Sequence, residues 1–494
     1  MKNAITILTL LLLICLSTVQ KTQAQYILKK ADAQFELYNY IKAIDLYEQA
    51  YKKKQTRYAA ERLAMSNNLI RNFKAAESWA AIAANMQGSR PENKLVYANA
   101  LLQNSKYSEA KKQFENFAKL NPQIPEARKN TWLLSCDSAL YWINNPLKGM
   151  EIDNQVFLNS TQSDWGLRKK GDTLVYVSDR SNTTENVEDK PFLKFDGQNE
   201  PDKNIYGWTG NGYLRLYGYD TETKSLFGFP LDAGTDYHVG PISFTANGKE
   251  AFYALTRISK KPKFVKGVLA TVNIELYSSV KDEKGNWSAP KPFPYNNINE
   301  YSLGDPFISE DGKTIFFVST LPGGKGGTDI YYSTRNSKGE WGKPVNMEGL
   351  NSPGNERNPF ISKNFIYFSS DGRVGMGGLD IFKAAYVDGK TDQPINMGFP
   401  INSPQDDFAF ITTGSLYEGY LSSNRMNGSG GDDIYAFRLE KPVYRITGVA
   451  YNKKTGTALS HAIISLSRKN GTMLKKETAA DGKFAFDLDK AGDF

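Results

Sequence analysis

Three aspartates recur behind glycine-rich runs in the second half of the chain. They are Asp329 in Gly327-Thr328-Asp329-Ile330-Tyr331, Asp380 in Gly378-Leu379-Asp380-Ile381-Phe382 and Asp433 in Gly431-Asp432-Asp433-Ile434-Tyr435. Such carboxylates can ligate calcium through oxygen or accept hydrogen bonds from turn amides. Repetition favours the second role, because a metal site gathers several ligands in one place while these occur once per repeat. Three arginines recur in phase, Arg180, Arg373 and Arg425, and are expected to tie neighbouring repeats together. Other reactive chemistry is sparse. His238 and His461 are the two histidines and lie far apart, which excludes a His-rich zinc site or an H-E-x-x-H protease. No G-x-S-x-G nucleophile elbow occurs. Gly323-Gly324-Lys325-Gly326-Gly327-Thr328 looks like a phosphate loop, but it lacks the Gly-Lys-Ser/Thr ending and its sister turns lack the lysine. We therefore expect no catalytic residue, no cofactor, no metal and no enzymatic activity.

The elements that carry these residues are themselves periodic. The aspartates are 51 and 53 residues apart, and Glu275-Leu276-Tyr277 begins 54 residues before Asp329. Thr314–Ser319 matches Phe365–Ser370 as a strand-length β-branched and aromatic run. Asn351-Ser352-Pro353 is echoed by Asn402-Ser403-Pro404, and Trp287-Ser288-Ala289-Pro290 by Trp341-Gly342-Lys343-Pro344. A period near 50 with strands and glycine-rich turns predicts a β-propeller, one four-stranded blade per repeat. Blades are expected to begin near residues 164, 240, 305, 358 and 407, with Asn204-Ile205-Tyr206 as the Asp-Ile-Tyr equivalent of the first. A sixth blade could be built from Met150–Leu158 or Tyr213–Phe229, so the expectation is five to six.

A second period occupies the N-terminal part. Tyr40-x-x-Ala43-x-x-x-Tyr47, Phe73-x-x-Ala76-x-x-x-Ala80 and Tyr107-x-x-Ala110-x-x-x-Phe114 are spaced 33 and 34 residues apart. Small residues let helices approach, while Tyr40, Phe73 and Tyr107 fill the space between repeats. Period and pattern match the tetratricopeptide repeat, which predicts an α-solenoid over residues 25–145 capped by a helix from Pro125 to Tyr141. This segment carries 18 Lys and Arg against 11 Asp and Glu, whereas the rest of the mature chain is nearly neutral. The excess reads as a solvated surface or as a docking face for an acidic protein; it is too scattered for nucleic acid.

The first residues suggest export. Lys2, the apolar run Ala4–Leu16 and Thr22-Gln23-Ala24 have the form of a secretory signal over residues 1–24, with Gln25 as the new N-terminus. Ile14 is too bulky to make Cys15 a good lipidation site. Cys136 would then be the lone cysteine, so no internal disulfide is expected.

From residue 441 onward, Tyr444–Ala450, Lys454-Thr455-Gly456, His461–Leu466 and Asp481-Gly482 followed by Phe484–Leu488 resemble the carboxypeptidase-regulatory-like β-sandwich family, here incomplete. The resemblance implies a non-catalytic module and further strands beyond Phe494. The predicted order is multidomain α plus all-β: signal 1–24, helical repeats 25–145, propeller 146–440, sandwich 441–494. That order resembles periplasmic proteins of Bacteroidetes related to the OmpA family, with a WD40-like propeller. The family implies a scaffold at the periplasmic face of the outer membrane, with protein partners in a cell-envelope, type IX secretion or gliding assembly. It binds peptidoglycan only through a C-terminal domain that this sequence does not contain. The rival expectation is a carbohydrate-binding or carbohydrate-cleaving propeller, which needs two carboxylates converging in a central funnel.

Overall fold

The computed structural model describes residues 23–180, 204–257, 272–441, 444–467 and 473–488, and all statements below concern these. The export signal with Lys2 and Cys15 lies outside the described residues except for its last two positions. The chain forms two compact units, one reaching Phe437 and one from Arg438 onward.

In the first unit, seven helices precede the strands: α1 (residues 23–36), α2 (Tyr40–Lys53), α3 (Arg57–Leu69), α4 (Phe73–Asn85), α5 (Glu92–Gln103), α6 (Tyr107–Leu120) and α7 (Glu126–Asn144). Side-chain caps start two of them, Thr56 accepting from Ala59 N and Asn72 from Ala75 N, both at 3.3 Å. Tyr40, Phe73 and Tyr107 open α2, α4 and α6 and are buried, as are Ala43, Ala76 and Ala110 one turn later. Each helix pair closes in the same way. Asn39 N donates to Gln34 O, Asn72 N to Asn67 O and Lys106 N to Leu101 O, all at 2.9 Å. The residue before each donor, Tyr38, Arg71 or Ser105, is left-handed, with φ of 59°, 63° and 64°. That bond and that conformation end helices whose next residue is usually glycine. Side chains here cost about 1 kcal/mol or more of backbone strain each.

The strands form a five-bladed β-propeller. Its innermost strands are Asp164–Lys170, Val239–Phe244, Leu303–Ile308, Glu356–Ser362 and Asp407–Thr412. Each leads an antiparallel meander outward. Every innermost strand slips register at the same place, with Gly166, Gly240, Asp305, Asn358 and Ala409 in the left-handed region there. Such a bulge bends the strand and re-aims its side chains. The ring closes through its ends: Met150–Asn154 is the outer strand of the blade made by Asp407–Thr412, Glu418–Ser423 and Asp433–Leu439. Aromatic and β-branched side chains such as Phe316, Ile330 and Phe368 fill the space between blades.

The repeated phrases have local causes. Asn159, Asn351 and Asn402 each accept from the N–H of Ile434, Ile330 and Ile381 at 2.7–2.9 Å, pinning the third strand of the preceding blade. The serine that follows each asparagine gives its N–H to the carboxylate opening the next innermost strand, Asp164, Glu356 or Asp407.

Two sequence expectations are corrected. No sixth blade forms: Met150–Asn154 completes the fifth, and Tyr213–Phe229 supplies the third and fourth strands of the first, Arg215–Asp220 and Ser225–Gly228. Asn204-Ile205-Tyr206 is not a strand. Arg215–Asp220 pairs in its place, while Tyr206 packs its ring against Trp208 and His238.

The second unit contains two antiparallel pairs, Tyr444–Val449 with Lys483–Leu488 and Ile463–Ser467 with Met473–Glu477. No helix of the described residues is long and apolar enough to cross a membrane.

Candidate functional site on the propeller axis

The three repeated aspartates accept hydrogen bonds from the backbone of their own turns. Asp329 takes the N–H of Lys325 at 2.5 Å, Asp380 that of Met376 at 2.8 Å, and Asp433 those of Ser429 and, at 3.2 Å, Gly430. Glycine is required beside them, since a Cβ on Gly324, Gly375 or Gly428 would lie 1.8–2.1 Å from the carboxylate oxygen. Burial pushes the Asp380 carboxyl well above its ordinary range and raises that of Asp433. Among the described residues no three metal-ligating side chains come together.

The arginines bind the connectors that enter their own blades from the blade before. Arg180 Nη2 donates to Leu158 O at 2.6 Å and pairs with Asp164. Arg425 Nη2 donates to Ile401 O at 2.8 Å and to Asp407 at 2.6 Å. Arg373 reaches Leu350 O at 2.6 Å. Of the histidines, His238 is partly buried, accepts from Leu214 N at 3.1 Å and is pushed down to about 4 by desolvation and Arg215, so it stays neutral at neutral pH. Cys136 is buried and its thiol is pushed up to about 12 by burial, which leaves it unreactive.

Sequence reading missed the polar groups at the axis and its mouth. Asp305, at a bulge, accepts from Arg357 Nε, from Nη2 at 3.2 Å and from Asn358 N at 3.1 Å. Arg168, from the first blade, lies near enough for the Asp305 charge to act on it. Toward the glycine-rich turns, Asp406, Asp179 and Arg71 lie within electrostatic reach of Asp432. Asp406 pairs with Arg71 at 3.0 Å and accepts from Leu379 N at 2.9 Å. Burial, then the Asp406 charge, raises the Asp432 carboxyl from 3.8 to about 6. A signal for this site was present in the repeats. Asp432 stands where the sister repeats have Thr328 and Leu379, and Asp406 where another has Asn355.

The helices sit on this same face through the three left-handed turns. Tyr38 stacks on Trp208 at 6.0 Å, Arg71 pairs with Asp406, and Ser105 lines a cleft of about 440 Å³ with Met150, Phe399, Pro400 and Gln405. Trp208 Nε1 donates to Leu69 O at 2.9 Å and Gln405 Nε2 to Gln103 O at 2.7 Å. The strained turns thus lie beside the hydrogen bonds that tie the helices to the propeller.

No protein-family profile and no curated protein sequence matches the chain. Solved structures do match the chain. A thermostable family-43 glycoside hydrolase is 13% identical with a TM-score of 0.34, covering 61% of this chain and 92% of that one. An α-L-arabinofuranosidase from Lactobacillus brevis is 10% identical with a TM-score of 0.36, covering 62% and 95%. A prolyl oligopeptidase B from Galerina marginata is 13% identical with a TM-score of 0.28, covering 64% and 40%. At these values the likeness is one of fold. The expectation of no enzymatic activity is not upheld beside them, since the matched structures are glycoside hydrolases and a prolyl oligopeptidase.

Proposed function

We propose that this chain is an exported cell-envelope protein that docks protein partners on a helix-capped propeller. In this reading the helices are tetratricopeptide repeats, the C-terminal unit is a carboxypeptidase-regulatory-like sandwich, and peptidoglycan is reached through a domain beyond Phe494. The supporting observation is the periodic seating of Tyr38, Arg71 and Ser105 on the propeller. It leaves the helices with exposed apolar side chains, most of them on the odd-numbered ones. Tyr26, Tyr58, Met65, Val96, Leu134 and Tyr141 are 39–64% exposed. Apolar surface of this kind favours protein docking. The basic excess adds less, because Arg57, Arg90, Lys106 and Lys111 already pair within the helices. The test is in-cell cross-linking with mass spectrometry on wild type and a Tyr58→Ser/Met65→Ser/Tyr141→Ser variant. Loss of cross-links to envelope proteins supports the reading; an unchanged set moves the docking site off the helices.

The second reading is a carbohydrate-binding or carbohydrate-cleaving propeller. Its support is Asp432, whose carboxyl, raised to about 6, suits proton donation near neutral pH. Hydrolysis of aryl arabinosides or xylosides that disappears in Asp432→Asn would establish it. Absence of both glycan binding and hydrolysis in the wild type would end it.

A further inference from the structure

Arg168 is a buried cation that makes no ion pair among the described residues. It leaves the innermost strand of the first blade just beyond the bulge and is 7% exposed. Its guanidinium carbon lies 5.9 Å from the ring centre of Phe360, in the innermost strand of the fourth blade, so it spans the axis. Among the described residues it makes one hydrogen bond, from Nη1 to Leu167 O at 3.0 Å, and its Nε is buried without a partner. The carboxylate that acts on it, Asp305, is already engaged by Arg357 and by Asn358 N. Arg357 thus takes this carboxylate, and Arg168 feels its charge without pairing with it. Asn358 is 2% exposed, and among the described residues neither its Nδ2 nor its Oδ1 has a partner.

Buried polar groups are nearly always satisfied, and an uncompensated buried charge is strongly unfavourable. Burial lowers Arg168 to about 10, which still leaves it charged at neutral pH. On the Nε–Nη2 edge of Arg168, Nε is buried without a partner and Nη2 makes no hydrogen bond among the described residues. That planar pair matches the two oxygens of a carboxylate or phosphate.

We propose that the propeller axis is a binding site for a small oxyanion, held by the Nε–Nη2 edge of Arg168. Arg357 is not the anchor, because Asp305 occupies it. The site is distinct from the acidic mouth and needs neither reading of the overall function.

The test is isothermal titration of the full chain with sodium acetate and, separately, inorganic phosphate, at ionic strength held constant with sodium chloride. The expected result is one saturable site for at least one of them, and the arm that binds tells carboxylate from phosphate. Arg168→Met should abolish it, and Arg168→Lys should weaken it about tenfold or more, since a point charge cannot replace the planar edge. No saturable heat with either anion in the wild type overturns the proposal, as does unchanged binding in Arg168→Met. If Arg168→Met does not fold, Arg168→Lys decides: affinity equal to wild type overturns the site.

Discussion

The third and fourth blades carry the same turn in opposite surroundings. In Gly324-Lys325-Gly326-Gly327, Lys325 is exposed and its Nζ reaches Glu348 O at 2.5 Å. In Gly375-Met376-Gly377-Gly378, Met376 is fully buried among Leu101, Tyr107, Phe114 and Cys136 of the helices, and Gly375 N donates to Ser135 Oγ at 3.2 Å. The backbone of both turns binds its aspartate alike. Where the repeats agree, the residue serves the blade; where they differ, the difference reports what lies over it. Met376 marks the helical seat, and Asp432 marks the mouth of the axis.

The shared network should be the costliest to break. Asp407→Ala leaves Arg425 largely buried without its counter-ion, and we expect a loss of about 3–5 kcal/mol. Urea unfolding followed by tryptophan fluorescence measures it, and a loss under about 1 kcal/mol would mean that the pair is incidental.

The contrast between the turns comes next. Met376→Ala should cost about 2–5 kcal/mol by opening a cavity, whereas Lys325→Ala should stay within about 0.5 kcal/mol. Hydrogen exchange should show α5 and α6 losing protection in the first variant only. Equal behaviour of the two would erase the distinction drawn here.

Asp432 makes the mouth pH-sensitive in a defined direction. The folded protein keeps this proton up to about pH 6, while the ordinary carboxyl releases it near 3.8. Its contribution is therefore complete at low pH and is lost as pH rises through about 6, on the order of 1–3 kcal/mol. Denaturation at a series of pH values should show this slope in wild type and a flatter one in Asp432→Asn.

The smallest effect lies at the half-exposed pair of Arg71 with Asp406. Arg71 is half exposed, so Arg71→Ala should cost about 0.2–1 kcal/mol for the pair with Asp406. Arg71→Gly also relieves a left-handed residue, worth about 1 kcal/mol, and should come out close to wild type. Thermal unfolding of the two variants separates pairing from strain.

Much of the fold was legible because its causes are local. The five blade starts follow from strand runs and glycine-rich turns, and the burial of Tyr40, Phe73 and Tyr107 follows from a helical period. The misread pieces were those whose partner is remote. Asn204-Ile205-Tyr206 had the right letters but lost its place to Arg215–Asp220, and Met150–Asn154 looked like spare sequence until it closed the ring. The axis was illegible for the same reason, as Asp305 and Arg357 are 52 residues apart and belong to separate blades.

The sequence by itself determined the repeats, their turns and the residues that serve each repeat from within, since hydrogen bonds from Asp329, Asp380 and Asp433 span only a few residues. The tertiary structure decided the number of blades, the seating of the helices and the charges on the axis. Those depend on ring closure and on faces that meet only when the chain returns on itself, and no local pattern encodes which of five similar blades will face which.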